Sequence, residues 1–287
     1  MRNLFVAEML RIIGLLVLAC FALTAPMGCQ SAMLRTIENS LVYQPPKRGP
    51  FKKCPTPPVG VEDVFIENPD SNCRLNGWYA GVQNPRAVVL YCHGNGNDVA
   101  ECQASLLAFR DQLRVSILAF DYSGYGRSDG KSSEANLYRD ARAARKWLAA
   151  KANVPESEIV LCGYSLGGGV AVELASTDGA KALILERTFT SIPDVAQRFV
   201  PWLPMQTMMV NRFDSQSKIG RYRGPLLQTH GDADRIVPYV LGVKLHTVAN
   251  EPKKFIRVCG GGHNDPPHTS YTAALDKFFD ELNGVKP

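Results

Sequence analysis

Leu161-Cys162-Gly163-Tyr164-Ser165-Leu166-Gly167-Gly168-Gly169, running on into Val170-Ala171-Val172-Glu173-Leu174-Ala175, is the stretch that decides the architecture. The apolar residues up to Cys162 read as a buried strand, those from Leu166 as a helix, and the G-x-S-x-G pentapeptide around Ser165 joins them in a sharp turn. A serine hydroxyl is a weak nucleophile until a base takes its proton, and it must project clear of the backbone to meet a substrate. At the tip of such a turn Ser165 Oγ does so, and the glycines remove Cβ atoms where strand and helix crowd together. Ser165 is the candidate nucleophile.

Working outward from this turn, short β-rich runs alternate with helical patterns from Val61 to the end of the chain. Strands are expected near Val61 to Ile66, Leu75 to Ala80, Ala87 to Cys92, Ser116 to Phe120, Ile159 to Cys162, Ala182 to Leu185, Leu226 to Thr229 and Phe255 to Val258. Those from Ala87 onward are nearly all apolar, as strands buried on both faces should be. Helices fit at Glu134 to Ala150, Leu166 to Ala175, Tyr239 to Val248 and Ser270 to Leu282. The fold class is α/β: a mostly parallel eight-stranded sheet with helices on both faces. One connection is too long for a simple crossover. About residues 187–222 it carries Phe199, Trp202, Leu203, Met205, Met208, Met209 and Val210, and is expected to form a small cap insertion, either a lid over the site or a helix packed on the core edge.

A serine nucleophile needs a base, and the base needs a carboxylate to orient it. His263 follows the last expected strand in Gly260-Gly261-Gly262-His263-Asn264-Asp265, where the glycines let a loop bring the imidazole back toward Ser165. Its neighbour His268 is carried away by Pro266-Pro267 and reads as an exposed helix-start residue. Three carboxylates could serve as the acid. Asp234, in His230-Gly231-Asp232-Ala233-Asp234-Arg235-Ile236-Val237-Pro238, is favoured because it stands last in its turn; Asp232 reads as a bracing residue, and Glu186 as the partner of Arg187. Developing negative charge also requires donors. The Leu166 amide is one by the geometry of the turn, and the Asn95 amide, in His93-Gly94-Asn95-Gly96-Asn97, is the other; His93 reads as structural. The glycine-rich turn Asp121-Tyr122-Ser123-Gly124-Tyr125-Gly126-Arg127-Ser128 is expected to shape the pocket.

The ends and the composition bound the setting. Arg2 and Arg11, the apolar run Ile12 to Ala25 and Pro26-Met27-Gly28-Cys29 read as a leader over residues 1–29, with Cys29 as the candidate lipidated residue; an uncleaved signal anchor is the competing reading. Residues 30–60, rich in proline, read as a tether, and 61–287 as the folded domain. Lys47, Arg48, Lys52 and Lys53 fit either a lipid surface or a solvated linker. The net charge of +5, from 32 basic and 27 acidic residues without a dense basic run, argues against nucleic acid as a partner. Cys92, Cys162 and Cys259 are expected as buried strand thiols, Cys54 with Cys73 is the pairing to test, and no spacing suggests a metal site or a bound cofactor.

Leu90-Tyr91-Cys92-His93-Gly94-Asn95, Asp121 to Gly126, Gly163 to Gly168 and His230 to Asp234, taken together, resemble α/β-hydrolases of the Bem46 and ABHD17/ABHD13 type over residues ~85 to ~283. Phe189-Thr190-Ser191 and Phe213-Asp214-Ser215 resemble segments of the same group. The resemblance implies a membrane-attached serine hydrolase acting on a small-molecule or acylated-protein substrate, since eukaryotic members include enzymes that remove palmitate from protein cysteines. The expected activity is cleavage of an ester or thioester through a Ser-His-Asp triad in the cell envelope. A serine peptidase of S9/S33 type and a catalytically silent binding protein on the same fold are the alternatives.

Overall fold

The computed structural model describes residues 35–36, 38–46 and 55–284. The leader with Cys29, the centre of the tether and Cys54 lie outside the described residues. In chain order the elements are β1 (Glu62–Asn68), β2 (Cys73–Ala80), β3 (Val88–Cys92), α1 (Gln103–Leu107), β4 (Ser116–Phe120), α2 (Glu134–Ala152), β5 (Ile159–Tyr164), α3 (Leu166–Asp178), β6 (Ala182–Glu186), α4 (Ile192–Phe199), α5 (Met205–Met208), α6 (Ser215–Ile219), β7 (Leu226–Gly231), α7 (Tyr239–Val248), β8 (Lys253–Val258) and α8 (Thr269–Leu282). The strands form one eight-stranded sheet in the order β1-β2-β4-β3-β5-β6-β7-β8. Only the β1/β2 and β2/β4 pairings are antiparallel; from β4 through β8 every pairing is parallel.

The period-two alternation of a strand sorts the core into two layers. Leu90, Leu118, Phe120, Leu161, Leu183 and Leu185 point to the face covered by α2, α3 and α7, where they meet Leu137, Leu148, Val170 and Leu245. Their neighbours Val89, Tyr91, Ile117, Val160 and Ile184 point to the opposite face, covered by α1, the helical turn Ala108–Gln112 that continues it, and α8 through Leu106, Phe109, Leu275 and Phe279. With both faces covered, β3 to β6 have no position to give to solvent, which is why they read as uninterrupted apolar runs.

Three expectations are corrected here. The edge strand β8 is only half covered and carries Lys253, Lys254 and Arg257, so its exposed positions are polar. Cys259 lies one residue beyond it and is an exposed free thiol, whereas Cys92 and Cys162 are buried within their strands. Residues 38–42 are helical, with Val42 and Tyr43 buried against the body, where an extended spacer was expected. The prolines of the tether begin only at Pro45, so nothing in the preceding segment blocks a helix. Cys73 is a buried free thiol within hydrogen-bond distance of Ser71 and Ser123.

The long connection after β6 holds α4, α5 and α6. Ser191 and Asp214 accept hydrogen bonds from the third residue of α4 and α6 and so cap their N-termini. Glu134, in the first turn of α2, accepts from the amides of Arg212 and Phe213 and ties the segment down. Phe213 and Met205 are buried, while Trp202, Met208 and Val210 stand out to solvent. The buried Phe213 and Met205 fit the reading of a segment packed on the core edge, and Trp202, Met208 and Val210 add an exposed apolar rim.

Candidate active site

β5 leads straight into the turn at Ser165, whose positive φ of +53°, with ψ −117°, is the strained backbone expected of a strand-to-helix elbow. Such a backbone persists only where its surroundings fix it. The Ser165 amide donates to Glu186 O at 2.9 Å, and the Ser165 carbonyl accepts from Thr188 Oγ1 at 2.9 Å and from the Gly168 amide. The flanking glycines are sterically required: a Cβ on Gly167 would lie 2.0 Å from Cys92 O, and one on Gly163 2.4 Å from Gly167 O.

The loops after β7 and β8 bring two side chains to the serine. His263 Nε2 lies 3.0 Å from Ser165 Oγ, and His263 Nδ1 lies 2.7 Å from Asp234 Oδ2. Because a carboxylate only accepts, the imidazole proton sits on Nδ1, and Nε2 is left to accept from the serine hydroxyl. Each of the three residues is 8% exposed, so the chain of side chains is largely shielded from water.

Asp234 is anchored on all sides. Its Oδ1 accepts from the amides of Ile236 and Val237, both at 2.9 Å, and its Oδ2 also faces His230 Nε2 at 3.3 Å. Burial by itself would raise the carboxyl, but the hydrogen bonds from His230, His263 and Val237 outweigh it and hold the group well below the usual carboxylate range. It is ionised at any ordinary pH. Asp232, in the same turn, faces away from the histidine, pairing with Arg257 at 2.7 Å and capping the Gly260 amide. Glu186 does not pair with Arg187 as the sequence suggested. Its Oε1 accepts from Tyr271 OH at 2.6 Å and from Cys162 Sγ, and burial raises its carboxyl.

Three residues not singled out for the site in the sequence support it. His230 Nε2 donates to Val237 O at 3.0 Å as well as facing Asp234, and packs so closely on Gly242 that a Cβ there would clash with its ring. Tyr164 OH donates to His263 O at 2.6 Å, and Arg187, itself at φ +49°, sends Nη1 to His263 O and Asp265 O. Together they hold by its backbone a glycine-rich loop that would otherwise be loose. Their signal in the sequence was adjacency to the motifs and nothing more.

Asn95 sits in the loop after β3, its side chain bonded to Tyr125 OH, Gln44 N and Val42 O, and Leu166 begins α3 directly after the serine. His93 is buried under this loop, its ring packed at a tilt against Tyr122 and Tyr125, with Nδ1 at 2.9 Å from Gly94 O. Burial holds its imidazole down, from 6.5 to about 4, so it is neutral and structural. His268 caps α8 at the surface. Among the described residues no group of His, Cys, Asp and Glu converges as metal ligands would.

An elbow serine on a parallel sheet, with histidine and aspartate arriving in that order of contact from later loops, defines a hydrolase of the α/β type, and the chain belongs to the α/β-hydrolase superfamily. Residues 83–219 match the family Hydrolase_4, described as serine aminopeptidase, S33. An uncharacterised protein of Mycobacterium tuberculosis is 38% identical over 83% of this chain and 85% of its own length. The α/β-hydrolase domain-containing protein aho-3 of Caenorhabditis elegans is 34% identical over 69% of this chain and 58% of its own length. Among solved structures, the esterase Est1E of Butyrivibrio proteoclasticus, bound to ferulic acid, superposes with a TM-score of 0.64 at 21% identity over 77% of this chain and 99% of that one. A Pyrococcus furiosus esterase superposes equally well, TM-score 0.64 at 18% identity over 84% of this chain and 97% of that one. At these identities the likeness is one of fold.

Proposed function

We propose that the protein is a serine hydrolase that cleaves an acyl ester or thioester through an acyl-Ser165 intermediate. The observation that carries the reading is the continuous chain from Ser165 Oγ through His263 to Asp234, at 3.0 and 2.7 Å. As Oγ bonds to the acyl carbon, His263 Nε2 takes its proton, and Asp234 stabilises the imidazolium without itself taking a proton. The negative charge gathers on the former carbonyl oxygen, where the amides of Leu166 and Asn95 would receive it. Collapse expels the alcohol or thiol with the proton from His263. Water then gives a proton to the same nitrogen, attacks the acyl carbon, and releases the acid and free serine.

Within the superfamily, the set of motifs from Leu90 to Asp234 favours the Bem46 and ABHD17/ABHD13 type, with a small acylated molecule or acylated protein as substrate and membrane attachment through Cys29. A second reading, an aminopeptidase, is favoured by the S33 family match. The test is a fluorophosphonate probe followed by a panel of p-nitrophenyl esters of rising chain length, a thioester and an aminoacyl amide. Labelling of wild type and not of Ser165→Ala, with turnover of ester or thioester, is the expected result. Equal labelling of both forms sinks the nucleophile assignment, and turnover of the amide alone moves the protein to the peptidase reading.

A further inference from the structure

The donor loop is held from outside the catalytic fold. Gly94-Asn95-Gly96-Asn97 is flanked by glycines, with Gly96 at φ +81°, so its backbone is intrinsically permissive. The position of an oxyanion donor nevertheless matters at the scale of tenths of an ångström. The Asn95 side chain supplies the restraint and uses both ends of its amide: Oδ1 accepts from Tyr125 OH at 2.6 Å and from the Gln44 amide at 2.8 Å, while Nδ2 donates to Val42 O at 2.6 Å. Two of those three partners belong to the segment that precedes the catalytic domain.

That segment is itself bolted to the cap. Glu38 accepts from the amides of Val210 and Asn211 and from Asn211 Nδ2, and Asn39 Oδ1 accepts from the same Nδ2 at 2.8 Å. Tyr43 OH donates to Asn211 Oδ1 at 2.6 Å, and the Tyr43 ring meets Phe213 edge-on at 6.4 Å. With Val42 and Tyr43 buried in the core, residues 38–44 form a strap whose one end grips the cap at 210–211 and whose other end grips Asn95.

We propose that this strap is a positioning device for catalysis: acting through the Asn95 side chain, it fixes the loop that donates to the oxyanion and couples that loop to the cap. The inference rests on the acyl-serine reading above. It makes Asn95 two things at once, a donor through its backbone and a clamp through its side chain, and it makes Glu38, Tyr43 and Tyr125 contributors to rate although none need touch substrate. A purely structural strap would change stability and leave the chemical step alone.

Full-length protein carrying Asn95→Ala, Tyr125→Phe or Glu38→Ala distinguishes these roles, with p-nitrophenyl butyrate turnover, fluorophosphonate labelling rate and thermal midpoint measured on each. Tyr125→Phe keeps the buried ring and removes one bond, so it remains informative if Asn95→Ala folds poorly. The expected result is a kcat about ten-fold lower for Asn95→Ala and several-fold lower for the other two, with KM within two-fold, measured at least ten degrees below each midpoint. The labelling rate should fall in parallel. If wild type is labelled at Ser165 and all three variants keep kcat within two-fold, the strap has no role in the chemical step and the proposal fails alone. If Ser165 is not labelled in wild type, the hydrolase reading fails and takes this proposal with it.

Discussion

At the scale of single residues, Asp234 and Asp232 stand two positions apart with opposite surroundings. Asp234 is buried and faces two imidazoles; Asp232 is spread between Arg257 and the Gly260 amide at the surface. Asp234→Asn keeps the shape but turns a required acceptor into a group that can donate, favouring the wrong tautomer of His263, and kcat should fall about 10³–10⁴-fold. Asp232→Asn loses an exposed ion pair and should leave kcat within about two-fold. Steady-state kinetics on the two variants decides the point, and a dead Asp232→Asn beside an active Asp234→Asn would reverse the assignment. These residues could be read in the sequence because each sits in a short motif whose spacing is set by a turn. The roles of Arg187 and Tyr164 could not, because they reach 76 and 99 positions along the chain to the His263 carbonyl, and nothing in the sequence marks that His230 faces the Asp234 carboxylate four positions on. The misplaced Glu186–Arg187 pair has a physical cause as well: successive side chains at a strand end point to opposite faces, so neighbours in sequence meet different partners.

At the scale of elements, all eight strands were legible, with differences confined to one or two residues at their ends. Their apolar runs are long enough, and their separating helices distinct enough, that no alternative pairing competes. What escaped was short or local: α1 and its continuation to Gln112, and the three helices of the cap, only four to eight residues each, too short to announce themselves in the sequence. The strand–elbow–helix unit is the opposite case, where the sequence admits almost no change. Gly167 lies against the carbonyl oxygens of both Cys92 and His93, backbone atoms of β3 and the donor loop that have no room to move. Gly167→Ala should therefore cost about 3 kcal/mol, the upper end of the roughly 1–3 kcal/mol typical of overpacking. Urea denaturation measures it, and a midpoint equal to wild type would show that β3 and α3 can separate more easily than their contacts imply.

At the scale of the whole molecule, the described residues contain no helix long and apolar enough to cross a membrane. The attachment proposed for the chain is through the leader, residues 1–29. Their apolar run of about 14 residues falls short of the ~20 that span a bilayer, whereas an acyl chain contributes about 0.8 kcal/mol for each buried methylene without any demand on helix length. The proposed lipidation of Cys29 would supply attachment without a spanning helix. The strap adds a geometric consequence, because Glu38 fixes it to Val210 and so sets the tether's origin beside the cap segment that carries the exposed Trp202, Met208 and Val210. Under the proposed attachment at Cys29, the expected orientation has this apolar rim toward the surface. Cys29→Ser in full-length protein expressed in a bacterial host should move the hydrolase from the membrane pellet to the soluble fraction after cell breakage, with fluorophosphonate labelling of Ser165 unchanged. Retention of the variant in the pellet through a high-salt wash, with the same labelling, would instead assign the anchor to the uncleaved run Ile12 to Ala25, since salt removes a protein held by surface charge but not one held by buried apolar surface.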